Sequence, residues 1–159
     1  MIGVGCASPG PVDLTGMYRV DSDVGSMPCG ADQPIVPAPA YLKFAKMSFL
    51  GADFFQYDKC PDASGTNCTS GGGLFGGGFS EPIDNGWRDQ TTISSFGGSC
   101  TLSYENGTAI LTGTKLVIER STYSDAPALT QAQCTTDEAR KRGMTMPCSN
   151  HAHIEATKQ

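Results

Sequence analysis

The chain has no run of about 18 apolar residues, so nothing in it reads as a membrane-spanning helix. No two cysteines are spaced C-x-x-C, and the only histidines, His151 and His153, follow no cysteine pair at finger-like spacing. That argues against a structural zinc site or a thioredoxin-type motif. No G-x-S-x-G is present, and two imidazoles are all that Ser-His-Asp chemistry has to draw on. The glycine run SGGGLFGGGF lacks the Lys-Ser/Thr of a phosphate loop and leads instead into Phe79-Ser80-Glu81-Pro82. Charged residues make up only 17% of the chain and the formal net charge is −5, which leaves no basic surplus for a nucleic acid. Asp21 and Asp23 lack the third acid, the glycine and the downstream glutamate of a calcium loop, so they read as an acidic turn. No cofactor is expected.

What the chain does hold is 20 glycines, 10 prolines and seven cysteines in 159 residues. One domain of this length buries a core, and scattered cysteines in a loop-rich acidic chain read as disulfides formed in an oxidising compartment. Seven is odd. Cys6, in an N-terminal stretch with little structure to hold a partner, is the natural one to leave over. The remaining six make three bridges. Locality favours Cys60 with Cys68 and Cys134 with Cys148, which leaves Cys29 with Cys100.

Residues 1–12 read as a flexible tether and 13–159 as a single β domain. LTGMYRVDS alternates as a first strand, and the proline-rich MPCGADQPIVPAPA reads as irregular. YLKFAKMSF and DFFQYDKC form a hairpin around Gly51, with Leu42 and Phe44 on one face. WRDQTTISSF, CTLSYE, TAIL and KLVIERSTYS continue the strand pattern, with Asn106-Gly107 as a hairpin turn between the second and third. The helix candidate lies near 135–142, capped by Thr135 or Thr136 and ended by Gly143, with Asp137-Glu138 first and Arg140-Lys141-Arg142 last. SNHAHIEATK alternates as a final strand with His151 and His153 on one face. The sum is an all-β antiparallel meander of about seven or eight strands, forming a small barrel or sandwich with one short helix and held by disulfides.

The run Ile2-Gly3-Val4-Gly5-Cys6-Ala7-Ser8 resembles the lipobox of bacterial lipoproteins, in which a small residue precedes a cysteine that becomes lipidated. Only five residues precede Cys6, without the basic and apolar parts of such a leader, so either those parts lie upstream of the given start or the match is accidental. The L-T-G-x-Y opening is similar to small lipocalin-like barrels of envelope lipoproteins. The mixture of cysteines, glycine-rich loops and tether is similar in style to small lipoproteins of myxobacterial envelopes. The resemblance implies lipid (palmitate) on Cys6, anchorage in the bacterial outer membrane, and a non-catalytic role. That role would be to bind an envelope or motility partner protein, or a small apolar ligand inside the barrel. Leu74, Phe75 and Phe79, on flexible glycine arms, are the expected contact with a partner or membrane. Two alternatives stand beside this reading: a metal-binding protein or enzyme built on His151 and His153, and a secreted disulfide-rich binding domain.

Overall fold

Alternating side chains give each long strand one inward and one outward row. In the computed structural model, which describes residues 9–72 and 78–159, such strands build one antiparallel sheet. They are β1 (Gly16–Ser26), β2 (Gln33–Pro34), β3 (Tyr41–Phe49), β4 (Ala52–Cys60), β5 (Thr69–Ser70), β6 (Glu81–Ile83), β7 (Gly86–Phe96), β8 (Cys100–Thr112), β9 (Lys115–Asp125) and β10 (Cys148–Lys158). The helix α1 (Thr136–Arg142) precedes the last strand. The sheet runs β5-β4-β3-β1-β10-β9-β8-β7-β6, with β2 added to β1. The meander is therefore broken once: the first strand sits between β3 and the last strand, and residue by residue Asp23 faces Ile154 and Ser26 faces His151.

The sheet curls but is not a closed barrel. Among the described residues, its two flanks meet at an isolated bridge between Phe55 of β4 and Phe79, just ahead of β6. Inside the curl pack Tyr18, Leu42, Phe44, Phe55, Tyr57, Phe79, Leu116, Ile118 and Ile154. Phe44 stacks on Tyr57 with ring centroids 5.1 Å apart, and Phe55 leans on Trp87 at 5.0 Å. A second cluster lies on the outer face, where Ala139 of α1 and Met146 cover Leu102 and Tyr104 of β8. Alternation explains the two clusters: odd residues of β8 face in and even ones face out under the helix.

Local signals set several boundaries. The β3–β4 turn is two residues long, with Leu50 at φ 50° and Gly51 at φ 81°, the left-handed pair that matches strand twist. Thr135 caps α1 by accepting from the Glu138 amide at 3.1 Å, and Gly143 ends it. Arg140 and Arg142 pair with Asp137 and Glu138 along the same helix.

Other expectations are overturned. Asn106-Gly107 is not a turn: β8 runs straight through it from Cys100 to Thr112. Gly107 faces into the curl, where a Cβ would be in ordinary contact with Arg120 Nε at 3.4 Å and the Phe79 ring at 3.5 Å. Asp21 and Asp23 lie within β1, not in a turn. Asp21 sits at the bulge between Val20 and Ser22 and takes hydrogen bonds from Lys115 and Thr157. The segment expected as tether through residue 12 is docked earlier: Gly10 accepts from the Asn85 amide, and Val12 accepts from Trp87 Nε1 at 2.7 Å.

Of the expected disulfides, Cys60–Cys68 is present, whereas Cys29 pairs with Cys148 and Cys100 with Cys134. Locality failed because the β1–β10 pairing brings Cys29 beside Cys148, with Cα atoms 5.5 Å apart. Docking of α1 on β8 then sets Cys134 against Cys100, with Cα atoms 5.6 Å apart. All three bridges lie at one end of the sheet. The N-terminal segment, the C-terminus and the β3–β4, β6–β7 and β8–β9 turns lie at the other.

Candidate functional site

Followed toward the disulfide end, each inward row changes from apolar to polar. On β9, Leu116 and Ile118 give way to Arg120 and Thr122. On β4, Phe55 and Tyr57 give way to Lys59. On β8, Leu111 and Ala109 lead through Gly107 to Glu105; on β7, Trp87 leads to Asp89; on β10, Ile154 and Ala152 lead to Asn150; and on β1, Tyr18 and Val20 lead to Asp23. Between these rows is a cavity of about 490 Å³, lined among others by Tyr57, Lys59, Glu105, Arg120, Thr122 and Asn150. Its volume lies in the range of small-molecule sites.

Arg120 dominates the cavity. Its side chain is 9% exposed, and Nη1 donates to Glu105 Oε1 at 3.0 Å and lies 3.6 Å from Asp89 Oδ2. The guanidinium carbon stands 5.1 Å over the Phe79 ring, a cation–π contact. Nε and Nη2, the two donors of one edge of the guanidinium, have no hydrogen-bond partner. Glu105 is held in turn by Thr122, whose hydroxyl donates at 3.3 Å. Burial raises the Asp89 carboxyl above its ordinary range against the opposing pull of Arg120, and burial likewise raises the Tyr57 phenol. Asp23 is buried with Lys59 Nζ at 3.5 Å, an ion pair without a hydrogen bond at Oδ2. A buried guanidinium with a whole edge unpaired is costly, so this polar chamber is the part of the fold least explained by stability.

His151 and His153 do share a face, on the outside of β10, where they meet a carboxylate the sequence reading did not place there. Glu119 of β9 is the cross-strand partner of His153. His151 Nε2 lies 2.9 Å from Glu119 Oε2 and Nδ1 lies 2.9 Å from Asp32 Oδ1. His153 Nδ1 lies 2.5 Å from Glu119 Oε1 and Nε2 lies 3.1 Å from Glu155 Oε1. The hydrogen bond to Asp32, aided by Glu119, raises the basicity of His151 despite partial burial. For His153, burial opposes the charge, and Glu119 and Glu155 outweigh it. Every ring nitrogen thus faces a carboxylate, the arrangement of a charge-stabilised strand pair. Among the described residues, no group of three or more His, Cys, Asp or Glu is disposed to hold a metal ion.

The expected contact residues fare differently. Cys6, Leu74 and Phe75 lie outside the described residues. Phe79 does not sit on a free arm: it is 1% exposed, because its backbone bridges to Phe55 and its ring fills the space over Gly107. Exposed large apolar residues sit in more than one place: Phe49 (68%) and Leu50 (91%) with Met47 at the β3–β4 tip, and Met27 and Val36 in the connection between β1 and β3. Sequence reading missed Arg120, Glu105, Asp89 and Lys59, and took Asp23 for part of an acidic turn. A signal existed for Arg120, because in KLVIERST it falls on the same alternating row as Leu116 and Ile118. No family model, no curated protein and no solved structure matches the chain.

Proposed function

We propose that this chain is a non-catalytic binding domain of the bacterial envelope. It is tethered to the outer membrane through lipid on Cys6 and holds a small ligand in its interior cavity. The observation that carries the reading is the placement of that cavity at the disulfide end of the curl, opposite the end from which the N-terminal segment departs. A tether leaving from that end sets the cavity away from the membrane. Three disulfides suit an oxidising compartment. The expectation of a purely apolar ligand is revised, because charged side chains line one wall.

The tether is tested by expressing the full-length gene in a bacterial host, fractionating the envelope and sequencing the N-terminal peptide by mass spectrometry. Acyl mass on Cys6 in the membrane fraction is the expected result. A soluble product with an unmodified thiol at Cys6 contradicts the tether and favours the secreted disulfide-rich alternative.

A second reading, docking at the tether end, is favoured by the β3–β4 tip. Phe49 and Leu50 project there without apolar cover at the end from which the N-terminal segment departs. Membrane contact at that tip is compatible with ligand binding at the other end.

A further inference from the structure

Resting on the reading of the cavity as a binding site, we propose that its ligand is a small organic acid. The carboxylate is received by the Nε–Nη2 edge of Arg120.

Nη1 is committed to Glu105 and sits near Asp89, so one side of the guanidinium is neutralised and oriented by the protein. The other edge carries N–H donors that have no protein acceptor and expose almost no surface, so a carboxylate reaches them as the side chain turns toward the cavity. Two coplanar donors at that spacing match the two oxygens of a carboxylate. Gly107 lies directly opposite Arg120 across the β8–β9 pair. The ring of Phe79 supports one face of the guanidinium. The body of the acid has apolar wall to lie on, from Ile118, Ala152 and Ile154, and Lys59, ion-paired with Asp23, also lines the cavity.

Electrostatics set a real competitor. Glu105 and Asp89 already oppose Arg120, so a second negative charge is less welcome than at a lone arginine. Lys59 adds positive charge at the wall, opposed by Asp23 at 3.5 Å, and burial pushes the Asp89 carboxyl toward its neutral form. A neutral ligand with two acceptor oxygens is the alternative that the test must separate.

The test uses the full, disulfide-bonded chain labelled with 15N, with the Arg120 Nε–H signal assigned by its loss in Arg120→Lys. The probes are two matched pairs, phenylacetate with phenylacetamide and octanoate with octanamide. The acids should move the Arg120 Nε–H signal and bind about tenfold to a hundredfold tighter than their amides. Arg120→Lys, which keeps the charge but loses the two-donor edge, should lose that preference. Should that variant fail to fold, the Nε–H response of the unmodified chain decides alone. Equal binding of acid and amide, with wall signals such as Asn150 and Ala152 moving, overturns the organic acid and leaves the cavity reading standing. No response of any wall signal to any probe overturns both.

Discussion

Phe79 and Phe55 exchange both backbone hydrogen bonds, each 2.9 Å long, across the gap between the two flanks of the sheet. One residue from a glycine-rich stretch thereby joins β4 to the segment that opens β6, and its ring roofs the apolar half of the curl. Phe79→Ala removes a fully buried ring and loosens that junction. The expected cost is about 3–5 kcal/mol in urea unfolding. A change within a few tenths of a kcal/mol would instead return Phe79 to the role of a surface contact.

The outer histidine pair makes stability depend on pH in a definite direction. Both imidazoles are raised above their ordinary value of 6.5 in the folded chain. A group whose folded pKa exceeds its unfolded one contributes stability fully below the unfolded value and loses it as pH rises through the folded value. The urea midpoint should therefore fall as pH climbs from about 6.5 through the raised histidine values. Glu119→Gln, which removes the carboxylate shared by both rings, should flatten the profile. A midpoint that rises over the same window would refute the carboxylate–imidazole chain.

The three bridges should differ in worth. Cys29–Cys148 spans 119 positions and Cys60–Cys68 spans 8. Loop-closure entropy gives about 5 kcal/mol for the long bridge against about 2.5 for the short one. Paired Cys→Ser replacements compared by denaturant unfolding check this order. Non-reducing peptide mapping should recover Cys29 with Cys148 and Cys100 with Cys134, and alkylation without reduction should label nothing among these six.

Exposed apolar residues at the β3–β4 tip predict a surface effect without a stability effect. Leu50→Asp and Phe49→Asp should leave unfolding within about 0.5 kcal/mol of the parent. Both should weaken co-sedimentation of the unacylated chain with phosphatidylethanolamine–phosphatidylglycerol vesicles. Unchanged sedimentation removes the membrane from this tip.

Legibility followed the range of the interactions involved. The Gly51 hairpin, the Thr135–Gly143 helix and the alternating SNHAHIEATK strand depend on neighbours in sequence, and each formed where the pattern placed it. Asn106-Gly107 has the local chemistry of a turn, yet pairing on both sides overrode it, since Gly107 stands in unbroken register between Asp89 of β7 and Arg120 of β9. The cysteine pairing needed the adjacency of β1 and β10, a contact between opposite ends of the chain that spacing does not reveal. Arg120 was readable from the parity of β9 alone. Its unpaired edge was not, because that depends on which acids β7 and β8 bring to the other side.

The binding reading is tested most directly by native mass spectrometry of the full-length product, released gently from membranes of the cells that carry its gene. The expected result is one non-covalently bound small molecule per chain, lost on activation and missing in Arg120→Lys. A chain that carries no such molecule, and whose spectrum is unchanged by Arg120→Lys beyond the mass of the substitution, would contradict it.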